Sequence, residues 1–176
     1  ALHNNLHLET TAAALYTQSW PLVQATRMRM VTLARSIAQA HHWALPGGAG
    51  VAANGGIGEA TVRMVFAHLQ QDAPANDAAM IESYRRTCER LVNYARSTHL
   101  FAVPAQYRLN VTITPPPLRA SIESAAYYPA PIFTPDGVGH FYVTPTGDDP
   151  ALLRQLHNLD AQPDLAAHEG FPGHDW

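Results

Sequence analysis

The period at which apolar residues recur changes near Tyr107, and this change constrains the fold more than any other feature of the sequence. Before Tyr107, apolar residues recur every three or four positions, the spacing of one face of an α-helix. From Tyr107 to Ile113 they alternate with polar residues, which is typical of a strand with one buried face. The sequence therefore predicts a mainly α protein with a small antiparallel β-sheet, an α+β fold. We divide it into a helical part over 1–106 and a second part over 107–176.

The helical part is predicted to hold four helices. Pro21 lacks the amide that continues a helix, so the first stretch is divided into helices over 12–20 and 21–42. Further helices are expected over 57–71 and 76–98, because the apolar period persists there. The apolar faces of the second and fourth helices are formed by Leu22, Met30, Leu33, Ala34 and Ile37, and by Ile81, Tyr84, Cys88, Leu91, Val92 and Ala95.

The second part is predicted to hold a small sheet and two short helices. A second strand, Gly139–Thr144, follows a turn signal at Asp136-Gly137, and we expect two or three strands in antiparallel order. Asp149-Pro150 is typical of a helix start and predicts a helix over 150–160. The last helix is expected to begin near Pro163-Asp164.

Composition excludes several classes of protein. The 176 residues are 47% hydrophobic and 14% charged, which favours one folded domain over a disordered chain. All eleven basic residues are Arg, and fourteen acidic residues bring the net charge to −3, so nucleic acid is not an expected partner. No apolar run of about 18 residues predicts a membrane span, and the first residues lack the pattern of a signal peptide. Cys88, the single cysteine, lies on a predicted apolar face and is interpreted as a core residue.

The glycine-rich stretch Gly47–Gly58 superficially resembles the phosphate-binding turn of a dinucleotide-binding fold. That turn requires a buried strand directly before its glycines. Here the preceding residues, His41-His42-Trp43, read as the end of a helix, so we interpret the stretch as a connection between helices. A nucleotide-binding enzyme that uses residues 47–60 remains one alternative.

Two histidines and a glutamate stand close together near the end of the sequence, as His168, Glu169 and His174. Zinc hydrolases commonly use His-Glu-x-x-His on a helix, where four residues turn the second ring by only about 40° from the first. Six residues turn it by about 120° on a regular helix, which does not allow chelation. Pro172-Gly173 must interrupt the helix, and two residues absorbed in a loop would bring the second ring back. The alternative is a helix that ends at Gly170 in a non-catalytic binding or scaffold domain with structural histidines.

A resemblance to a known family bears on this choice. The residues His168–His174 resemble the His-Glu-x-x-Pro-Gly-His signature of the bacterial family called domain of unknown function 885, which is grouped with the gluzincin-like zinc metallopeptidases. Three upstream segments resemble that family in the same order. They are Pro116-Pro117-Leu118-Arg119, Ala126-Tyr127-Tyr128-Pro129 and Asp136–Val143. The resemblance covers about residues 111–176 and favours a metal site over a plain helix end.

The resemblance implies a zinc-dependent hydrolase that acts on a peptide or a small amide. His168 and His174 would be ligands of Zn²⁺, and Glu169 would be the general base for zinc-activated water. Gly139–Thr144 would be the edge strand that holds an extended peptide by backbone hydrogen bonds. The residues expected to contact substrate are therefore Gly139, His140, Phe141 and Tyr142, together with Tyr127, Tyr128 and Arg119.

The resemblance also implies a third protein ligand, usually a Glu from a helix well downstream of the second histidine. The sequence ends two residues after His174. We therefore expect the third ligand outside this chain, in a missing C-terminal part of the same protein. Because two ligands hold zinc weakly compared with three or four, we expect the chain alone to be inactive. The sequence leaves open whether the compartment is periplasmic or cytoplasmic.

Overall fold

The chain divides into two compact units, Ala1–His68 and Leu69–Trp176. The computed structural model describes residues 9–47, 56–131, 133 and 137–175. The start of the chain, most of the glycine-rich stretch and Asp136 lie outside the described residues, as do the interpretations that we placed on them. The division does not fall at the change of period after 106, because the helix Asp77–Thr98 packs against the sheet that follows it.

Helix α1, Ala12–Ala40, is the longest element of the first unit. Thr11 caps it by accepting a hydrogen bond from the amide of Ala14 at 3.1 Å. Our prediction of two helices divided at Pro21 is wrong, since Pro21 lies inside a continuous helix. The proline removes one amide, and the carbonyl that loses this donor lies on an exposed turn, where water can pair with it.

The apolar face predicted for this helix is largely exposed. Leu22, Met30 and Leu33 are 71%, 40% and 61% exposed, and only Ala34 and Ala38 are buried. Helix α2, Gly56–Leu69, has 14 residues against the 29 of α1, which corresponds to lengths of about 21 and 44 Å. Among the described residues of this unit, α2 is too short to cover α1.

Helix α3, Asp77–Thr98, begins the second unit and carries its core. Asn76 caps its start, with the side-chain oxygen accepting from the amide of Ala79 at 2.8 Å. His99 ends the helix in the left-handed conformation, at φ 52°. The predicted apolar face is confirmed, because the buried residues recur at helical spacing. They are Met80, Ile81, Tyr84, Thr87, Cys88 and Ala95.

The sheet has three strands, β1 at Leu109–Ile113, β2 at Ala125–Tyr128 and β3 at Gly139–Val143, in the order β1-β3-β2. Strand β3 runs parallel to β1 and antiparallel to β2, so the sheet is mixed and our prediction of a purely antiparallel sheet is wrong. The connection from β1 to β3 includes β2 and a short 3₁₀ helix, Pro116–Leu118, and is long enough for the chain to return in its original direction.

The position of β3 also corrects the prediction for substrate binding. Strand β3 lies in the centre of the sheet and pairs with a strand on each side. Both ladders use its backbone amides and carbonyls, so β3 cannot be the edge strand that pairs with a peptide. The open edges belong to β1 and β2.

Two short helices complete the unit. Helix α4, Pro150–His157, is capped by Asp149, whose side chain accepts from the amides of Ala151 and Leu152, as the sequence predicted. Helix α5, Gln162–Glu169, packs against α3 and β2. No helix in the described part of the chain is long and apolar enough to cross a membrane. The core is formed by Met80, Ile81, Tyr84, Cys88, Val111, Phe141, Val143, Leu153 and Ala166.

Candidate metal centre

The backbone leaves the helical hydrogen-bond pattern at the end of α5. The amide of Gly170 still donates to the carbonyl of Ala166, four residues back, at 3.0 Å. The next two bonds span six residues, from the amide of Gly173 to Ala167 at 2.8 Å and from that of His174 to His168 at 2.9 Å. The loop accommodates the two extra residues, and His174 lies next to His168.

Gly173 is required by this loop. A Cβ atom at Gly173 would lie 1.9 Å from the carbonyl oxygen of His168 and 2.5 Å from that of Ala167. Both atoms belong to the backbone, so no side-chain rotation relieves the clash. Any other residue at this position would disrupt the loop that returns His174 to His168.

The loop brings His168, Glu169 and His174 into one cluster. One ligand atom from each of the three residues lies within 4.8 Å of the other two. The two imidazole rings are 5.0 Å apart between centroids, at an interplanar angle of 82°. The two rings therefore meet edge to face beside the carboxylate.

Glu169 is more protected and more firmly held than the histidines. Its side chain is 18% exposed, against 67% for His168. Oxygen Oε2 accepts a hydrogen bond from the backbone amide of Tyr127 in β2 at 3.0 Å. Oxygen Oε1 lies 3.7 Å from Nε2 of His168, so one oxygen is anchored and the other faces the cluster.

The buried side chain of Phe171 anchors the loop. Its side chain is fully buried, and its ring lies 5.6 Å from that of Phe101 and 5.1 Å from that of Tyr107. Beside it, a Cβ atom on Gly170 would lie 2.8 Å from the carbonyl oxygen of Ala166 and 3.2 Å from Cδ2 of Leu109, so a larger residue here would disturb the end of α5. Burial raises the pKa of the Cys88 thiol to about 12, which keeps it protonated and fits its interpretation as a core residue.

Tyr127 is the one predicted substrate residue that lies beside the cluster. Its amide holds Glu169, and its ring stacks nearly parallel to that of His174, at 6.5 Å and 13°. Burial, together with the neighbouring carboxylate of Asp175, raises the pKa of the Tyr127 hydroxyl to about 12.

The other predicted substrate residues are not brought to the cluster. Phe141 is fully buried in the core, and Gly139 is buried beneath Tyr127 and Asp175. Because Tyr127 pairs with Phe141 and side chains alternate between faces, the residues next to them lie on the opposite face of the sheet. Those residues are His140, Tyr142 and Tyr128, whose rings contact one another.

Arg119 also lies elsewhere. It follows the 3₁₀ helix, and its Nε donates to the carbonyl of Thr114 at 2.9 Å. The guanidinium thus pairs with the carbonyl of the residue that follows β1, and this contact is structural.

Sequence reasoning missed Asp175 and Tyr107. In the structure Asp175 accepts a hydrogen bond from the hydroxyl of Tyr107 at 2.5 Å. Burial, reinforced by that bond, raises the pKa of Tyr107 above its usual range. No local pattern links two residues so far apart in the sequence, although Tyr107 stood on the predicted strand face.

The fold and the cluster define a mainly helical α+β protein with a His-Glu-His cluster at the end of its last helix. The chain belongs to the family described as "Bacterial protein of unknown function (DUF885)", whose model matches residues 1–176. No curated protein and no solved structure matches the chain.

Proposed function

We propose that this chain supplies two metal ligands and the general base of a zinc-dependent peptidase-like hydrolase. The observation that carries the proposal is the pair of six-residue hydrogen bonds that returns His174 to His168 and Glu169. A helix that simply ended at Gly170 would not require this loop, and it would not require a glycine at position 173. The gluzincin-like relationship belongs to the same proposal.

The donor set suits zinc. Two imidazoles beside a carboxylate are common in catalytic zinc sites. Two atoms bound to one zinc at about 2.0–2.1 Å are at most about 4.2 Å apart, and the cluster, within 4.8 Å, needs only small side-chain rotations to reach this separation. His168 and His174 would hold the ion, and the third protein ligand would come from residues beyond this sequence.

Glu169 would move the protons of the reaction. A bound Zn²⁺ would lower the pKa of water towards neutrality and polarise the substrate carbonyl. The free oxygen of Glu169 faces the cluster and would accept the proton of a water molecule whose oxygen adds to the carbonyl carbon. The same carboxyl would then give that proton to the leaving amine as the carbon–nitrogen bond breaks. The amide of Tyr127 keeps the carboxylate oriented through both steps.

The substrate class we propose is a peptide or a small amide. Because β3 is central, an extended substrate would lie beside β2, the outer strand next to Glu169. The outward amide of Tyr127 already donates to Glu169, so the substrate would not pair with that amide.

The first test compares Glu169→Gln with wild type in the longest natural chain that contains these residues. We expect Glu169→Gln to lower peptide hydrolysis by about 10²- to 10⁴-fold, since the general base is lost while the shape is kept. Zinc content should stay near that of wild type. Glu123→Gln, which changes an exposed glutamate of the same unit, is the matched control and should leave hydrolysis unchanged.

A second comparison addresses the metal. His168→Ala and His174→Ala should each abolish stoichiometric zinc binding, whereas His41→Ala, which changes an exposed histidine of the first unit, should retain it. Hydrolysis that persists in Glu169→Gln, or a wild-type protein without zinc, would contradict the proposal and favour the scaffold alternative.

A further inference from the structure

Immediately after His174, Asp175 ties the chain to the sheet. Oxygen Oδ2 of Asp175 accepts from the hydroxyl of Tyr107 at 2.5 Å, and oxygen Oδ1 shares the space over Gly139 with the hydroxyl of Tyr127. The amide of Asp175 donates to the carbonyl of Gly170 at 3.3 Å, across the loop. Asp175 thus lies against two tyrosines that come from different parts of the chain, one before β1 and one in β2.

Tyr127 links Asp175 to the candidate metal centre. Its backbone amide donates to Glu169, its ring stacks beside His174, and its hydroxyl lies beside the carboxylate of Asp175 over Gly139. One residue therefore contacts the proposed base, the second proposed ligand and the residue that follows that ligand. A tyrosine present only to fill space would need none of these polar contacts.

We call the contacts of Asp175 with Tyr107 and Tyr127 the tether, and Gly139 leaves the space that they occupy. A Cβ atom at Gly139 would lie 2.3 Å from Oδ1 of Asp175 and 2.5 Å from the hydroxyl oxygen of Tyr127. A larger residue in the central strand would displace both groups at once. The resemblance led us to assign Gly139 to substrate binding, and the structure gives it this packing role instead.

We infer that Asp175, held by the hydroxyl of Tyr107 and packed beside that of Tyr127, positions His174 for metal binding. The inference rests on the proposed function, and it adds Tyr107 and Asp175 as positioning residues and gives Tyr127 a second role. His174 lies between two anchors, the buried ring of Phe171 before it and the tethered carboxylate of Asp175 after it. With both anchors in place, the exposed His174 need not be ordered by the ion, and less of the binding free energy is spent on ordering it.

The test uses Co²⁺ as the probe, because its visible absorption reports both binding and coordination geometry. Tyr127→Phe, Tyr107→Phe and Asp175→Asn are compared with wild type in the longest natural chain. Substitution of a residue that supports a metal ligand typically lowers metal affinity by about 10- to 100-fold. We therefore expect each variant to bind Co²⁺ at least about tenfold more weakly than wild type. Tyr94→Phe removes an exposed hydroxyl from α3 and is the matched control, with no expected change.

A double variant separates positioning from general stability. If Tyr127 and Asp175 act through one contact, the Co²⁺ affinities of Tyr127→Phe, Asp175→Asn and their double variant will be non-additive. Additive losses that follow the decrease in melting temperature would overturn the inference. So would unchanged Co²⁺ affinity and an unchanged spectrum in all three single variants.

Hydrogen exchange in the metal-free protein distinguishes failure of this inference from failure of the proposed function. The amides of Gly173 and His174 should exchange faster in Tyr127→Phe and Asp175→Asn than in wild type, while amides within α3 are unaffected. If wild type binds neither zinc nor cobalt but this acceleration is seen, the metal site fails and the tether stands. If exchange at these amides does not change, the tether is overturned whatever the metal result.

Discussion

The longest helices of the two units, α1 and α3, differ in what their apolar faces contact. Both carry apolar residues at helical spacing. In α1 the large side chains Tyr16, Leu22 and Leu33 are 69%, 71% and 61% exposed. In α3 the corresponding face is buried against the sheet and the two short helices. Helical period therefore predicts a helix in both units but predicts a core only where other elements are long enough to cover it.

The candidate metal centre belongs to the unit with the buried core. His168 and Glu169 are the last residues of α5, which packs on α3 and β2, His174 lies in the loop that follows, and every anchor of the loop comes from the same unit. Metal and catalytic groups need positions fixed to within about 0.5 Å, and a packed core provides that support. The comparison between the units can be tested by three substitutions.

The largest expected effect is that of Phe141→Ala in the central strand. Phe141 is fully buried and its ring packs edge-on against that of Tyr84 at 5.5 Å. Its truncation leaves a cavity and should lower the free energy of unfolding by about 3–5 kcal/mol. Urea unfolding followed by tyrosine fluorescence would measure this. A loss below about 1 kcal/mol would show that the second unit is not organised around this core.

An intermediate effect is expected at Asp77, which ties the start of α3 to the loop before α4. Its carboxylate accepts from the backbone amide and hydroxyl of Thr146 at 2.9 and 2.8 Å, and from the amides of Gly147 and Asp148. Burial raises the pKa of this carboxyl, but the hydrogen bonds outweigh burial and hold the pKa below 3.8.

The sign of the pH dependence follows from this depressed pKa. The unfolded chain binds the proton more readily, so the contribution of Asp77 is complete above about pH 4 and is lost as the pH falls through the pKa of the folded state. We expect about 1 kcal/mol, because the carboxyl is largely accessible and screened by solvent. Unfolding measured between pH 5 and 2.5 should show a smaller decrease in Asp77→Asn than in wild type. Equal decreases would contradict the assignment.

The smallest effect is expected for Leu22→Ala in α1. An exposed leucine loses little contact on truncation, and alanine favours the helix slightly, so the free energy of unfolding should change by no more than about 0.5 kcal/mol. The same urea experiment measures it. A loss comparable to that of Phe141→Ala would mean that the face of α1 is covered in solution, and the contrast between the units would disappear.

Local patterns in the sequence predicted most of the elements. The period of α3, the cap at Asp149 and the alternation in β1 are each set by residues close together in the chain, and the structure contains all three elements. The end of α5 at Glu169 also follows from local chemistry, because Pro172 and Gly173 do not continue a helix.

The direction and order of the strands could not be read in the same way. They depend on the long connection between β1 and β3, and on β2, whose four residues are too few to show a clear alternation. The tether at Asp175 joins residues 68 positions apart, so only the folded chain reveals it. The candidate site was therefore visible as a motif, while its supporting contacts were not.

The six-residue hydrogen bonds at His174 also bear on how such motifs are related. Removal of Pro172 and Gly173 from His-Glu-Gly-Phe-Pro-Gly-His would leave His-Glu-Gly-Phe-His, an ordinary His-Glu-x-x-His. The amide of His174 donates to the carbonyl of His168, as residues four positions apart do in a regular helix. One backbone hydrogen bond therefore joins the two histidines, although they are six positions apart in the sequence. The two spacings thus differ by two residues that the backbone loop absorbs, and a search that fixes the number of residues between the histidines would miss this sequence.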